Sequence, residues 1–329
     1  MIKIITSRAG YGKTSSLYKE ILEKDKNAEV AYLMVPEQFT LQSELALMDK
    51  VDSKGLIYAQ VMSFERLSRL VLSRVGGLKR PYIDEIGKHM ALRLIFDKHE
   101  DSLPMYKTAY KKEGFLSELS HTLSELKKMA VPPSLLLDKS NQIENNALLK
   151  QKLFEIGFIY NEFLNYMQDQ YIDNEDRISL LAEKINLYKE ISNASFYFDS
   201  FTGFTALELS VIEQLAQMGT SLCFALTYDE ASEDKDVFSP TSLTINQLKT
   251  IAKATGSEFE IEALVNESTK SKEIRYIEKA LYDYKAPSYN EEINDVKLFE
   301  ALDMEKEAEH CALEVLSLVR DFGYRFKDI

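Results

Sequence analysis

The first twenty-two residues place a β-branched run, a glycine-containing loop and an amphipathic helical pattern in immediate succession. They read MIKIITSRAGYGKTSSLYKEIL. Gly10 and Gly12 allow the backbone N–H groups of the loop to turn toward one point, and the helix that follows adds the partial positive charge of its N-terminus. This order of strand, loop and helix is the context that a phosphate-binding loop requires. The chain is therefore predicted to begin with an α/β nucleotide-binding domain.

The predicted nucleotide contacts extend from the end of this strand into the first helical turn. Lys13 is expected to reach the β- and γ-phosphates of ATP, and the Thr14 hydroxyl is expected to bind Mg²⁺. The strict pattern has a glycine where this chain has Ser7, which we interpret as a tolerated variation. The alternative is a glycine turn followed by a chance Lys-Thr pair. The residues predicted to contact ATP are Ser7, Arg8, Ala9, Gly10, Tyr11, Gly12, Lys13, Thr14 and Ser15.

Five short apolar runs are predicted as strands, and helical patterns lie between them. The runs lack polar alternation, which indicates strands buried on both faces of a parallel sheet whose crossover helices cover both faces. Leu17 with Ile21, and Leu41 with Leu45 and Met48, follow the helical period directly after a strand. The predicted strands are residues 2–6, 30–35, 56–61, 195–199 and 222–227.

From about residue 79 to 190 the strand signal disappears and helical patterns replace it. Stripes such as Ile86, Met90 and Leu94 recur at helical spacing, and Pro132-Pro133 is expected to break the helical region in the middle. Further helices are predicted at 243–255 and 273–284, after a polar stretch near 229–242. We predict a strand at 296–302, followed by a helix. The chain stops at YRFKDI, and we expect it to be part of something longer.

These patterns divide the chain into four predicted parts. An α/β domain is interrupted by an all-helical insertion, and a further domain begins near the C-terminus. The predicted ranges are 1–78 for the first part of the α/β domain, 79–190 for the insertion, 191–285 for the second part of the α/β domain, and 286–329 for the truncated start of another domain.

An acidic residue at the end of the fourth predicted strand is the candidate magnesium-associated group. Asp199 closes the apolar run SFYFD, and an acid at the end of a second buried strand is what a P-loop ATPase uses to hold Mg²⁺. The alternative is an ordinary strand-terminating aspartate. The next residue is Ser200, whose hydroxyl cannot act as a base at neutral pH as an ionised glutamate can. If Asp199 holds Mg²⁺, the site is expected to bind nucleotide better than it hydrolyses it.

Composition limits the remaining possibilities. The net charge of −13 argues against strong binding of a polyanion by the chain as a whole, although residues 61–80 hold five basic residues against one acid. A solvated helix face is the alternative for this cluster.

Cys223, Cys311 and four scattered histidines show no metal-ligand spacing, so no metal cage is predicted. No apolar run approaches the ~18 residues of a membrane span, and no leader pattern is present. We expect a cytoplasmic protein.

Several segments, taken in order, resemble superfamily-1 DNA helicases. Within them, the chain is most similar to the N-terminal, helicase-like region of the AddB family, the B subunits of bacterial AddAB helicase/exonucleases. SRAGYGKTSSL is similar to motif I, LMVPEQFTLQSELAL to motif Ia, VMSFERLSRLVLSRVGG to the segment after it, and FYFDSFTGFTALELSVIEQL to motif II. EGFLSELSHTLSELKKMAVPPSLL resembles the inserted 1B domain of the family. EKEAEHCALEVLSLVRDFGYRFKDI resembles the opening of the second motor domain. The resemblance implies a RecA-like P-loop NTPase fold interrupted by a helical insertion.

The resemblance also implies a function, and the departures from it limit the mechanism. Ser200 occupies the position of the expected catalytic glutamate, and no motif III glutamine follows residues 222–227. The implied function is a non-motor subunit that binds DNA and ATP·Mg²⁺ with little hydrolysis, as the heterodimeric partner of an AddA-type helicase/nuclease subunit. The family implies double-strand-break processing, recombinational repair and Chi recognition. Its nuclease domain and iron-sulfur cluster are not in this sequence, and we expect this chain alone not to be an active ATPase, helicase or nuclease.

The same alignment of segments implies candidates for contact with single-stranded DNA. They follow the second and third strands, with aromatic rings for base stacking and arginines for phosphates. The alternative for Phe64 is a core residue at a helix start. The candidates are Phe39, Thr40, Gln42, Phe64, Arg66 and Arg69.

Two other hypotheses remain open. A self-sufficient P-loop enzyme, such as a small-molecule kinase, would explain the N-terminal loop alone. The other is a structural remnant whose loop no longer binds a ligand.

Overall fold

The computed structural model describes residues 1–51, 55–112, 114–230, 232, 236–264, 270–283 and 285–329. The chain divides into two compact units, Met1–Glu267 and Ser268–Ile329. The first contains the sheet and most of the helices. The four predicted domain ranges are a finer division and stay a prediction. No helix among the described residues has the length and apolar character needed to cross a membrane.

A six-stranded parallel sheet forms the centre of the first unit. Its spatial order is β3-β2-β4-β5-β1-β6, so β5 separates the strand before the glycine loop from the strand that Asp199 follows. The four inner strands bury nearly every side chain, as continuous apolar runs predict. The strands are β1 (Ile2–Ser7), β2 (Ala31–Met34), β3 (Ala59–Met62), β4 (Ser195–Phe198), β5 (Ser221–Thr227) and β6 (Phe259–Ala263).

The predicted α/β class with a parallel sheet is confirmed, with two corrections among the strands. Residues 296–302 were predicted as a strand but have no regular secondary structure, and Leu298 is 99% exposed. Within the described residues, no strand pairs with this apolar run. The edge strand β6 was not predicted, because its sequence FEIEA interrupts the apolar run with glutamates.

Helices cover both faces of the sheet and form a separate cluster beyond it. One face carries the core around Phe196, Phe198 and Phe224, and the other carries the core around Leu17, Ile21 and Leu33. The helices of the first unit are α1 (Lys13–Lys26), α2 (Thr40–Met48), α3 (Phe64–Val75), α4 (Glu85–His99), α5 (Phe115–Lys128), α6 (Pro133–Gln142), α7 (Ala147–Met167), α8 (Asn174–Lys184), α9 (Ala206–Gln217) and α10 (Ser239–Thr255).

Helices α4 to α7 enclose a third core of their own. Phe96 stacks on Tyr110 at 4.8 Å between ring centroids, and Leu123, Ile159 and Phe163 are buried around them. As predicted, Pro132-Pro133 separates two helices: α5 ends at Lys128, and α6 begins at Pro133. The long region without strands predicted after α3 is therefore a helical cluster with its own packing.

The chain enters and leaves this cluster through a short parallel bridge. Tyr82 pairs with Ile172, the Ile83 N–H donates to the Ile172 carbonyl at 3.0 Å, and the Ile172 N–H donates to the Pro81 carbonyl at 3.0 Å. Helix α8 then returns to the sheet layer, where it packs on α3 and contributes Leu181 to the core. The two ends of the helical cluster thus meet at one place.

The second unit contains α11 (Lys272–Ala280) and α12 (Met304–Phe322). Glu273 organises the segment that follows α11, because its carboxylate accepts the backbone N–H groups of Asn294 and Asp295 at 2.7 and 3.0 Å. The helix predicted after residue 302 is confirmed as α12. The predicted helix 273–284 corresponds to α11, which ends earlier, at Ala280, and Tyr284 lies outside the described residues.

Candidate functional site

The parallel order of the strands places the candidate residues along one edge of the sheet. The glycine loop follows β1, the turn with Phe39 follows β2, Phe64 follows β3, and Asp199 follows β4. Because parallel strands end at the same edge, these four segments lie along it, with the end of β5 between Asp199 and the glycine loop. In open α/β sheets, ligands bind outside this carboxyl edge.

The glycine loop has the backbone conformation that its sequence predicts. Gly10 and Gly12 have φ values of 84° and 88°, in the left-handed region that side chains disfavour. Gly12 is the N-cap of α1, and no acidic residue lies in the first turn of that helix. The helix N-terminus therefore keeps its partial positive charge, and the loop is suited to an anion.

Ser7, which stands where the predicted P-loop pattern has a glycine, lies beside Lys13. The Lys13 ammonium donates to the carbonyls of Ser7 and Arg8, each at 2.9 Å, and lies 3.3 Å from the Ser7 hydroxyl. Ser7 is buried, and its hydroxyl donates to the Arg8 carbonyl at 3.1 Å. The serine side chain thus fits inside the loop and contacts the lysine, whereas Ala9 and Gly10 are exposed.

Asp199 and Thr14 meet across the site. Asp199 is only 5% exposed, and the Thr14 hydroxyl lies close enough to act on the pKa of its carboxyl. Burial raises the pKa of Asp199 above its ordinary value, although the Thr14 hydroxyl and the nearby Lys13 ammonium act in the opposite direction. A hydroxyl and a buried carboxylate beside a lysine form an oxygen donor set that fits Mg²⁺ next to a phosphate. The two predicted magnesium-associated residues are thus neighbours, although what they bind stays a prediction.

Ser200 differs sharply from the residue before it. It is exposed, and its φ of 64° lies in the left-handed region. The rings of Phe198, Phe201 and Phe204 pack below this turn, with centroid distances of 4.8 to 6.3 Å. The residue at the position of the expected catalytic glutamate therefore has a hydroxyl in place of a carboxylate. Its backbone lies in the left-handed region.

Arg8 makes a contact that the sequence did not reveal. Its guanidinium lies 2.9 Å from the Asp229 carboxylate and 5.4 Å from the centroid of the Phe238 ring. Asp229 follows β5, where the family resemblance led us to look for a glutamine. The loop is thus tied to the neighbouring strand end by an ion pair more than 200 residues away in sequence, which no local pattern signals.

The six candidates for DNA contact occupy different environments. Gln42 and Arg69 are exposed, and Phe39 is half-buried at the end of a turn. Thr40 is buried, and its hydroxyl donates to the Glu37 carbonyl at 2.9 Å. These placements leave the predicted DNA contacts untested.

Phe64 and Arg66 are more constrained than the sequence suggested. Phe64 is 3% exposed, and its ring lies 6.0 to 6.4 Å from those of Phe198, Phe201 and Phe204. Its burial favours the alternative of a core residue over stacking on a base. The Arg66 guanidinium lies 2.6 Å from the Glu44 carboxylate, so a phosphate would have to compete with this ion pair.

A buried ionic cluster at the base of the helical cluster was also missed. The Lys127 ammonium lies 2.6 Å from Asp173 and 2.7 Å from Asp176, and Lys88 lies 3.5 Å from Glu175. Burial opposes ionisation of Asp173, yet the Lys127 ammonium holds the pKa of this carboxyl below its ordinary value. Burial and the negative charge of Asp173 raise the pKa of Glu175. The cluster joins α4 and α5 to the start of α8.

Comparison with known proteins extends over the whole chain. Residues 4–278 match the family described as "ADDB, N-terminal". Relatives in Alkaliphilus oremlandii, Anoxybacillus flavithermus and Thermoanaerobacter sp. (strain X514) are 38%, 36% and 33% identical over 336, 343 and 338 residues, covering 100% of this chain. Each is named as the B subunit of an ATP-dependent helicase/deoxyribonuclease. The chain spans 29–30% of the length of these relatives.

Proposed function

Because this chain belongs to the AddB N-terminal family, we propose that it is the nucleotide- and DNA-binding region of a non-motor, helicase-like subunit. The relatives are named as subunits of an ATP-dependent helicase/deoxyribonuclease, which supports a role in processing DNA breaks. In this proposal an AddA-type subunit is the partner and supplies the motor. Recombinational repair, Chi recognition and a cytoplasmic location are parts of the same proposal.

The observation that carries the nucleotide-binding part is the closeness of the Thr14 hydroxyl to the buried Asp199 carboxylate. It brings the end of the glycine loop and the acid after β4 to one point, as a P-loop site requires. The backbone N–H groups of residues 10–14 and the Lys13 ammonium would hold the phosphates of ATP. Thr14 and Asp199 would hold Mg²⁺, which would neutralise phosphate charge when bound.

Little hydrolysis is expected from this site. A bound nucleotide needs a base or a water-orienting group next to its terminal phosphate, and Ser200 offers only a hydroxyl that stays protonated at neutral pH. Arg8, the arginine within the loop, is engaged with Asp229. We therefore propose that the site binds ATP·Mg²⁺ and hydrolyses it little. In this proposal the binding of the nucleotide, and not its hydrolysis, is the functional event.

The DNA-binding part of the proposal rests on the exposed residues beside the same edge. Gln42 offers an amide, and Arg69 a guanidinium whose side chain is 61% exposed. Arg66 joins them if a phosphate displaces Glu44. Side chains of this kind would contact the phosphate backbone of single-stranded DNA. Basic and aromatic groups bind single strands in this way without a strong preference for particular bases.

Titration of a fluorescent ATP analogue tests the nucleotide site. Lys13→Ala is expected to weaken binding roughly ten- to hundredfold, the value of a charge-assisted hydrogen bond. Lys19→Ala is the matched control, because Lys19 lies on the same helix and is exposed. Equal affinities for the wild type and Lys13→Ala would favour a structural remnant. Vigorous DNA-stimulated ATP hydrolysis by the chain alone would contradict the non-motor assignment.

A further inference from the structure

Tyr82 is an exposed aromatic residue whose backbone is held on both sides. Its side chain is 46% exposed, although the residue belongs to the parallel bridge with Ile172. The backbone hydrogen bonds of its two neighbours, Pro81 and Ile83, to Ile172 are each 3.0 Å long. The bridge therefore fixes the place from which a large ring extends into solvent.

One face of the Tyr82 ring is covered by a guanidinium group. Arg177 of α8 lies 4.4 Å from the ring centroid, in a cation–π contact. Arg177 is half-buried, and within the described residues its Nε has no hydrogen-bond partner. The contact sets the plane of the ring. Since Arg177 covers one face, the exposed part of Tyr82 lies on the other face and on the edge.

Helices α3 and α8 pack side by side, and contacts at two heights show that they run in the same direction. At the far end, the Lys184 ammonium donates to the Gly76 carbonyl, just after α3, at 3.1 Å. At the near end, burial raises the pKa of Tyr82, and the negative charge of Glu65, in the first turn of α3, adds to this effect. Since Tyr82 lies on Arg177, the first turns of the two helices are neighbours.

This arrangement brings Tyr82 to the level of a predicted DNA contact. Arg177 precedes Lys184 by seven residues, and these residues span about 10 Å of helix. The same distance back from Gly76 leads to Arg69 on α3. An exposed ring and an exposed guanidinium thus lie at the same height on two adjacent helices.

The aromatic candidates predicted from the sequence do not offer such a ring. Phe64 is buried among other rings, and Phe39 is half-buried. A surface that binds single strands combines cations for the phosphates with rings on which bases stack. Arg66 and Arg69 supply the cations of the proposed surface. Tyr82 adds a ring with a face open to a base.

We propose that one base of single-stranded DNA stacks on the exposed face of Tyr82. The proposal rests on the DNA-binding function proposed above and extends that surface from α3 to the start of α8. Arg177, behind the ring, is a positioning residue that keeps the ring in one plane. Stacking uses the face of a base and not its hydrogen-bonding edge, so this contact accepts any of the four bases.

Glu65 opposes DNA binding at the same place. Its carboxylate pairs with Arg69 and acts on the Tyr82 phenol, so a phosphate has to displace it from the guanidinium. Glu65→Gln is therefore expected to raise the affinity for single-stranded DNA about two- to fivefold, the value of an exposed ion pair. A substitution at Tyr82 is expected to act in the opposite direction.

Fluorescence anisotropy with a dT20 oligonucleotide measures the contribution of the ring. Tyr82→Leu is expected to weaken binding about five- to tenfold, because one base loses its stacking partner. Tyr82→Phe retains the ring and should bind within about twofold of the wild type, since stacking does not use the hydroxyl. Tyr58→Leu is the matched control, because Tyr58 is an exposed tyrosine that precedes β3 at the opposite edge of the sheet.

Photocrosslinking of the wild-type chain keeps the test decisive if Tyr82→Leu misfolds. An oligonucleotide with 5-iodouracil in place of thymine crosslinks on irradiation to aromatic side chains that stack on its bases. Mass spectrometry should find the crosslink in the tryptic peptide 80–88, whose one aromatic residue is Tyr82.

The two proposals fail in different ways. If the wild type binds dT20 and Arg69→Gln weakens this binding, while Tyr82→Leu leaves it unchanged, then Tyr82 is not a stacking residue and the proposed DNA binding stands. A crosslink found only outside residues 80–88 leads to the same conclusion. If the wild type does not bind dT20, both proposals are wrong.

Discussion

Two neighbouring residues after β4 differ in what their surroundings allow. Asp199 is buried close to the Thr14 hydroxyl, whereas Ser200 is exposed on a left-handed backbone. From the sequence, Asp199 was predicted to be the acid that closes a strand, and Ser200 was predicted to occupy the position of the catalytic glutamate. The sequence did not predict the backbone conformation of Ser200, because a positive φ is set by the packing of the following turn.

Asp199→Asn is expected to stabilise the chain near neutral pH while weakening any Mg²⁺-dependent nucleotide binding. Burial raises the pKa of Asp199, so the folded state binds its proton more tightly than the unfolded state does. Its ionisation therefore costs stability as pH rises from the unfolded pKa through the folded pKa, and the cost persists above that range. Asparagine retains a hydrogen-bond acceptor for Thr14 and lacks the charge.

Thermal unfolding at pH 4 and pH 7 measures this effect. The advantage of Asp199→Asn over the wild type should be larger at pH 7 than at pH 4, because a larger fraction of the wild-type carboxyl is ionised at the higher pH. A variant that is less stable than the wild type at pH 7 would show that the charge of Asp199 is favourable in the free chain.

Lys127→Met is expected to destabilise the first unit by about 3–5 kcal/mol, because it leaves buried carboxylates without their cation. Lys127 contacts both Asp173 and Asp176, and its side chain is 8% exposed. Lys128→Met is a close control: Lys128 is the next residue, pairs with Glu125 at the surface and should cost less than about 1 kcal/mol. Urea unfolding measures both. Equal losses for the two variants would contradict the role of the buried cluster.

At the scale of elements, helical periodicity predicted where helices lie better than which faces they bury. The stripe Ile86, Met90, Leu94 correctly indicated α4, yet all three side chains are exposed. The buried face instead includes Phe96 and Lys88, whose ammonium lies 3.0 Å from Glu85. A lysine on a buried face cannot be recognised from the sequence, because its acidic partners on α8 are far away along the chain.

Phe64→Leu is expected to lower stability by about 1 kcal/mol and to leave the affinity for single-stranded DNA unchanged. The ring lies among Phe198, Phe201 and Phe204, where a leucine of similar volume can repack. Fluorescence anisotropy with a dT20 oligonucleotide measures binding, and Gln42→Ala, at an exposed candidate, is the comparison. A loss of DNA affinity confined to Phe64→Leu would show that the ring leaves the core to contact bases.

At the scale of the whole molecule, the parallel sheet was the most predictable feature, since it follows from continuous apolar strands. The gathering of the loop, Thr14 and Asp199 at one edge follows from the same pattern, because parallel strands end together. The pair of Arg8 with Asp229 and the pairing of β6 with β1 did not follow. Both depend on contacts between distant segments, for which a single sequence carries no signal.

The dependence of DNA affinity on salt concentration measures how many phosphates the chain contacts. The chain has a net charge of −13, so we expect this DNA-binding surface to be small. Two phosphate contacts, from Arg66 and Arg69, give an expected slope of about −1.4 for log affinity against log salt on single-stranded DNA. Arg69→Gln should reduce the magnitude of the slope by about 0.7. Anisotropy titrations with dT20 over a range of salt concentrations provide the measurement. A slope that Arg69→Gln leaves unchanged would place the phosphate contacts elsewhere.

The bridge between Tyr82 and Ile172 has a consequence for how this family can evolve. The chain leaves the sheet layer at Pro81 and returns beside the same point at Ile172, held by two backbone hydrogen bonds. Apart from this bridge, the cluster meets the sheet layer where Lys88 of α4 and Lys127 of α5 pair with the carboxylates at the start of α8. Insertions and deletions that spare the bridge and these ion pairs can accumulate between the two residues without altering the sheet.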